Sequence, residues 1–402
     1  MILENKTSYR FNESGKRKKI NIVMFNMSSY SEWEKGVSNR NWRILKTMLN
    51  DERVEKILAV DYLPHTWKRA ARNYKENIIQ GNAKGKIIAK TLTSRTYKID
   101  EKLYVHSSVT NKFSANKFYA ELTSAIKKAD LEDYVVWSCY PLETGYFKIL
   151  KPKLKVFDAV DDWSKHPSYR HFADSLKQNY KTIGSQADLI FTVTEELKNL
   201  FANQEKVFLI PNAVDLKNYQ REFPIVNRDI GELPHPIIGY LGTIQERVDL
   251  NLIEYLAENN SHSSIVMVGP VWQEKIKETF LKYKNVHFLG RKSYEEAPMY
   301  IQQFDVAIVP HKTDEFSKST NPMKIFDYLS CGKPVVSTIS ANLDIFGDLI
   351  YATSDYKEFN RYLSQALDED KTINTEKRLN FIKEHSWNKR TDKMLELIYQ
   401  KI

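Results

Sequence analysis

Short apolar runs recur along the chain, separated by polar segments long enough to form helices. The first, Ile20-Asn21-Ile22-Val23-Met24-Phe25, predicts a buried strand, followed by a Ser-rich loop and a helix over 40–49. Further runs at 54–60, 134–137, 156–159, 189–193 and 207–210 repeat the pattern. Such alternation predicts a parallel sheet covered by helices on both faces. A passage rich in proline and charge, 223–236, interrupts it, and the series starts again at Ile237-Ile238-Gly239-Tyr240-Leu241-Gly242. It continues through 264–269, 286–290, 306–310 and 334–337, and a basic, amphipathic helix over 388–402 closes the chain. The pattern therefore predicts an α/β protein of two Rossmann-like, doubly wound domains: a basic polar leader 1–19, a first domain 20–222, a linker 223–236 and a second domain 237–387. Ligands of open parallel sheets bind beyond the carboxyl ends of the strands, so two such domains facing each other predict a cleft with one ligand on each wall.

Length and charge sharpen this picture. The 402 residues exceed what one hydrophobic core usually serves. The net charge of +9 is unevenly placed: residues 1–211 carry 36 Lys and Arg against 24 Asp and Glu. A field of that sign attracts polyanions, among them anionic lipid headgroups and phosphorylated acceptors. No helix-turn-helix, zinc-finger or RNP pattern accompanies it, so no nucleic-acid partner is expected. The two cysteines, Cys139 and Cys331, have neither metal-ligand nor disulfide-framework spacing. No apolar run is long enough for a membrane span or a secretory signal. A cytoplasmic protein, with peripheral contact at the inner face of an anionic membrane, is the expectation.

Two stretches of the second domain suit a diphosphate. Gly242 and Thr243 end a strand with small residues that let the backbone approach a ligand, and Arg247 lies within reach as a bidentate donor. A glycine ending a strand is common in any α/β protein. The segment Thr320-Asn321-Pro322-Met323-Lys324-Ile325-Phe326-Asp327 predicts a helix of two to three turns, with proline at its start and Gly332 as its stop. Its free amides and positive dipole end would meet an anion, and Asp327, one turn beyond Lys324, would meet a ribose diol. A capped helix bearing a surface Lys and Asp is the bland alternative. In the first domain, Asp158, Asp161 and Asp162 follow a strand with His166 near them, either lining the cleft or capping the next turn. Adjacent carboxylates invite a divalent ion. Trp33, Trp42 and Trp67 are candidates for stacking on a sugar or for ordinary packing. A dehydrogenase is disfavoured, because the first strand runs into Asn26-Met27-Ser28-Ser29-Tyr30 and not into Gly-x-Gly-x-x-Gly.

The run Lys324-Ile325-Phe326-Asp327-Tyr328-Leu329-Ser330-Cys331-Gly332-Lys333-Pro334-Val335-Val336 resembles the donor-site helix of glycosyltransferase family 4. Asn285–Gly290, Phe304–Pro310 and Pro211-Asn212-Ala213-Val214-Asp215 resemble the family's other segments, in the family's order. Thr243-Ile244-Gln245-Glu246-Arg247 and Asp158–Trp163 are similar to its branch of teichuronic acid biosynthesis glycosyltransferases. The resemblance covers about residues 150–400. It implies a GT-B fold, the donor diphosphate and ribose on the second domain, the acceptor on the first, and a closing helix that returns to the first domain. It implies no metal requirement and no cofactor beyond a nucleoside-diphosphate sugar as co-substrate. The implied donor set is Gly242, Thr243, Arg247, Gly269, Arg291, Ser319, Thr320, Asn321, Pro322, Met323, Lys324 and Asp327. The implied acceptor side is Asp161, Asp162 and His166, and the catalytic groups are Arg247, Lys324 and Asp162. Where the family carries two glutamates, this chain has Ser319 and Asp327. The expected function is transfer of a sugar, with retention, to a cell-envelope glycan or a lipid-linked acceptor. A nucleotide-sugar epimerase or a noncatalytic nucleotide-sugar binder stands as the alternative.

Overall fold

The computed structural model describes residues 18–81, 85–223, 228–340 and 342–402, so most of the expected leader and residues 224–227 of the expected linker lie outside the described residues. The chain forms two units, one running to Ile210 and including Thr391–Ile402, the other spanning Pro211–Arg390.

The first unit is built on a nine-stranded sheet. Its strands are β1 (Ile20–Phe25), β2 (Val54–Val60), β3 (Lys86–Lys90), β4 (Ser94–Lys98), β5 (Leu103–Ser108), β6 (Val135–Ser138), β7 (Leu154–Ala159), β8 (Leu189–Thr192) and β9 (Val207–Leu209). The order is β3-β4-β5-β2-β1-β6-β7-β8-β9. β1 lies parallel to both β2 and β6. Side chains alternate across a strand, so Val23, Phe25, Leu58, Val60, Val136 and Phe157 share one face. There they pack with Phe118, Leu122 and Ile126 of helix Ala115–Lys128 and with Leu176, Tyr180 and Ile183 of helix Ala173–Gln186. Both helices repeat apolar residues at three- and four-residue spacing, and the first is capped where Ser114 accepts a hydrogen bond from the Lys117 amide. β3, β4 and β5 run antiparallel. That ribbon was not foreseen, because β3 has only three apolar residues between two lysines and β4 reads Ser-Arg-Thr-Tyr-Lys, so neither shows a long apolar run.

The second unit has the strands β10 (Ile237–Leu241), β11 (Ser264–Val268), β12 (Val286–Gly290), β13 (Val306–Val309), β14 (Val335–Ser337) and β15 (Tyr351–Ala352). All pairs are parallel. The order, β12-β11-β10-β13-β14-β15, is the doubly wound 3-2-1-4-5-6 arrangement. Ile237, Val266, Val268, Ala307 and Val309 belong to one core, and Ile238, Tyr240, Ile265, Met267, Val306 and Ile308 to the core on the opposite face. Gly239 sits where a Cβ would come within 2.2 Å of the Phe304 ring, so its missing side chain makes room for that aromatic.

The unit boundary differs from the expected linker at 223–236. The chain already belongs to the second unit at Pro211, because Val214 pairs with Ser386 and Val214, Tyr219 and Ile230 enter the second core. The proline and charge signal marks the surface passage before β10, not the crossing. At the other end, Tyr399 donates to the carbonyls of Lys18 (2.8 Å) and Arg53 (3.0 Å), and Asp392 pairs with Arg53 at 2.8 Å.

Candidate functional site

Strand order in the second unit reverses between β10 and β13, the point at which a doubly wound sheet leaves a crevice at its carboxyl edge. Gly242 follows β10. Its amide donates to the Val268 carbonyl at 2.8 Å, and the Gly269 amide donates to the Gly290 carbonyl at 2.8 Å. A Cβ on Gly269 would lie 2.0 Å from the Gly242 carbonyl oxygen, and one on Gly242 would lie 2.1 Å from Lys324 Cε. Glycine at these two positions therefore lets three loop backbones and the Lys324 side chain converge.

Lys324 stands on helix Met323–Ser330, which starts after Pro322 without a side-chain cap. The Ile325 amide donates to the Pro322 carbonyl at 3.3 Å, and the amides of Met323 and Lys324 precede the first intrahelical bonds. The helix stops at Gly332 (φ +72°), with the Gly332 amide donating to Leu329 at 2.9 Å and Lys333 to Tyr328 at 3.1 Å. Ile325, Phe326, Tyr328 and Leu329 are buried, which leaves Met323, Lys324 and Asp327 on the open side. The Tyr328 hydroxyl accepts from the Leu241 amide at 2.9 Å and so pins the end of β10 to this helix.

Around Lys324 the charge is lopsided. Its ammonium lies 5.6 Å from the centre of the Tyr240 ring, and the Arg247 guanidinium lies 5.3 Å from that of Phe316. Burial, reinforced by Arg247 and opposed by Asp327, lowers the Lys324 pKa to about 8. His311, just past β13, is held well below the ordinary imidazole value by burial and by Lys324 and Arg247. Burial also raises the Tyr240 phenol. Arg247 thus acts on Lys324, and both act on His311, with Asp327 the one carboxylate opposing them at Lys324; an anion placed among these groups relieves the repulsion.

The remaining expected donor residues fall in two sets. Ser319 and Thr320 are buried and turn their hydroxyls onto the carbonyls of Phe316 (2.8 Å) and Ser317 (3.0 Å). Asn321 accepts from the Asn212 amide at 2.8 Å, while its own Nδ2 is buried without a hydrogen-bond partner. This stretch therefore offers a ligand mainly backbone and one spare amide, with Pro322 buried at the helix start. Thr243 accepts from the Tyr240 hydroxyl through its carbonyl at 3.1 Å, and Arg291 is exposed directly after β12. His311, Tyr240, Phe316 and Tyr328 were not foreseen, since only the strand order shows that they share one edge.

In the first unit the carboxylates of Asp158 and Asp162 are committed to structure. Asp158, considered as a cleft-lining residue, is instead fully buried and takes Arg40 Nε on both carboxylate oxygens at 3.0 Å. Asp162, expected to be catalytic, is 2% exposed and accepts from the Ser164 amide (3.0 Å) and hydroxyl (2.6 Å), so it holds its own turn. His166 caps the next turn by accepting from the Ser168 amide at 3.0 Å, and the Asp161 carbonyl accepts from Tyr180 at 3.0 Å. At the carboxyl end of β1, where this sheet reverses, the Asn26 side chain is buried with neither amide atom partnered. Trp33 is buried and stacks on Trp42 (5.0 Å between ring centres), whereas Trp67 is 61% exposed. Among the described residues no three His, Cys, Asp or Glu side chains converge as a metal site, and no helix is long and apolar enough to cross a membrane.

Residues 235–369 match the family described as glycosyl transferases group 1. The matched stretch lies wholly within the second unit. The loops around Gly242, Gly269, His311 and Lys324 all lie within it. A Bacillus subtilis (strain 168) protein provisionally named teichuronic acid biosynthesis glycosyltransferase TuaH is 25% identical over 257 residues, 60% of this chain and 64% of that protein's length. Among solved structures, Anabaena HepE in complex with UDP and glucose superposes with a TM-score of 0.65 at 14% identity, covering 94% of this chain and 99% of that one. Sucrose-phosphate synthase from Thermosynechococcus elongatus gives 0.69 at 14% identity, with coverages of 95% and 99%. These likenesses establish the fold, that of the GT-B glycosyltransferases.

Proposed function

We propose that the group 1 domain binds a nucleoside-diphosphate sugar, and that the protein transfers the sugar to a cell-envelope glycan or lipid-linked acceptor bound by the first unit. The observation that carries this reading is the pairing of Arg247 with a depressed Lys324 beside the uncapped start of helix Met323–Ser330, at the switch point of a doubly wound sheet. Charge grows on the diphosphate oxygen as the sugar–phosphate bond breaks. On this reading Arg247, Lys324 and the amides of Met323 and Lys324 stabilise it without reorganising. Asp327 lies on the same helix face as Lys324, and we assign it the donor's ribose. The UDP and UDP-glucose complexes of HepE favour a uridine nucleotide as the first donor to try.

Because the leaving phosphate is itself basic, it can take the acceptor proton in a retaining transfer, and no role for Asp162 is needed. The cations supply the charge stabilisation that a divalent ion would supply elsewhere, so we expect turnover to survive EDTA. The acceptor side rests on Asp161, His166 and the unpartnered Asn26 amide. Excess positive charge on the first half, and exposed Trp67 packed edge to face on exposed Phe113 with Lys112 over its ring, support docking on an anionic cytoplasmic membrane face. The test is a thermal-shift panel of nucleoside diphosphates and their sugar conjugates, followed by product analysis. Selective stabilisation by one nucleotide, lost in Lys324→Ala, is expected. A free epimerised sugar nucleotide, formed without acceptor, would instead make the protein an epimerase, and binding without turnover a noncatalytic relative.

A further inference from the structure

His311 has no part in the reading above. It directly follows Pro310 at the end of β13, and its position is set from several sides. Its amide donates to Thr338 Oγ1 at 3.1 Å. Its backbone pairs with Val248, and the next amide, Lys312, donates to the Arg247 carbonyl at 2.9 Å. The imidazole meets Tyr240 edge to face, with Nε2 at 3.5 Å from the hydroxyl of the same ring that carries the Lys324 ammonium. His311 is thus built into the switch-point loop by the residues that place Arg247 and Lys324.

We propose that His311 is a third cationic ligand of the donor diphosphate, neutral in the empty site and protonated when the diphosphate is bound. The inference rests on the reading of this domain as the donor site. The charged and titratable groups facing the imidazole are Lys324 from the helix, Arg247 from the loop after β10 and Tyr240 from β10 itself. The nearby Asp249 is engaged by the Tyr356 hydroxyl at 2.8 Å and by the Leu252 amide at 3.3 Å. With two cations and no carboxylate acting on it, the half-buried ring stays neutral. A bound diphosphate brings two negative charges into the same surroundings and reverses the balance. Binding then draws a proton from solvent, and affinity strengthens as pH falls.

Calorimetric titration of the full chain with UDP-glucose, in two buffers of different ionisation enthalpy at pH 6.5 and pH 8, tests this. The probe has no group that titrates across this range, so any proton taken up belongs to the protein. At pH 6.5 Lys324 is already protonated, and uptake there of a substantial fraction of a proton is expected from His311. His311→Gln and His311→Asn should abolish uptake at pH 6.5 while keeping the Lys324 share at pH 8. The His311 share of the affinity gain between pH 8 and 6, at most about tenfold per pH unit for one proton, should vanish with it. Binding of UDP-glucose to the wild-type protein with no uptake at pH 6.5 overturns the proposal and leaves the donor site standing. Uptake that persists in both variants overturns it as well. No binding at any pH removes the donor-site reading, and this inference with it.

Discussion

Replacing Lys324 by Met should stabilise the ligand-free protein while destroying its affinity for nucleotide. The ammonium is charged at neutral pH in surroundings that lower its pKa from 10.5 to about 8, chiefly by burial and then by Arg247. At 1.36 kcal/mol per pH unit, the difference is about 3 kcal/mol of destabilisation, present in full below pH 8. Residual solvent contact reduces it, so a gain of about 1–3 kcal/mol at pH 7 is expected from Lys324→Met. The sign follows from linkage. Between pH 8 and 10.5 the unfolded chain holds the Lys324 proton and the folded chain does not, so wild-type stability rises with pH and the advantage of the variant fades. Methionine keeps the length of the aliphatic stem, so no large cavity confuses the comparison. Urea denaturation at pH 7 and pH 10, with calorimetry to resolve the two units, measures the effect. A variant less stable than wild type at pH 7, or one whose gain is the same at both pH values, would refute the reasoning. So would a variant that still binds UDP-glucose as tightly as wild type.

Other substitutions separate packing from binding. Gly239→Ala drives a Cβ to within 2.2 Å of the buried Phe304 ring and should cost about 1–3 kcal/mol by calorimetry. Gly242→Ala meets the movable end of Lys324 instead, so UDP-glucose affinity should fall by about tenfold or more, beyond any loss of stability, in the same titration. Asp158→Asn leaves buried Arg40 without its counter-charge and should destabilise the first unit by about 3–5 kcal/mol in urea. Sedimentation with anionic vesicles should be strong at low salt and weakened both by added salt and by Trp67→Ala; binding indifferent to salt would contradict an electrostatic dock.

Strand positions were legible because a buried parallel strand must be apolar on both faces, and runs such as Ile20–Phe25 and Ser264–Val268 therefore stand out from any sequence window. Helix Met323–Ser330 was legible for a comparable local reason, with Pro322 opening it and Gly332 closing it at positive φ. The ribbon β3–β4 was not, because one half-exposed face dilutes its apolar signal with lysine and arginine. Nor was the unit boundary, since Pro211–Tyr219 is polar in sequence but anchored through Val214 and Tyr219 to residues far along the chain.

At the candidate site the division is similar. Gly242, Gly269, Arg247 and Lys324 stand out by residue type, since few residues permit close backbone approach or suit an anion, and the structure brings Gly242, Gly269 and Lys324 together. Which carboxylates are free to act was not readable. Asp158, Asp161 and Asp162 look alike in the chain, yet Arg40, distant in sequence, takes Asp158 wholly out of solvent, and Ser164 occupies Asp162. The place of His311 likewise depends on β13 lying beside β10, a pairing that no local pattern encodes. Sequence alone determined the elements and the chemical inventory, because those follow from local periodicity and residue type. Tertiary structure decided which groups share a site and which are spent on the scaffold, because that depends on strand order and on partners distant along the chain.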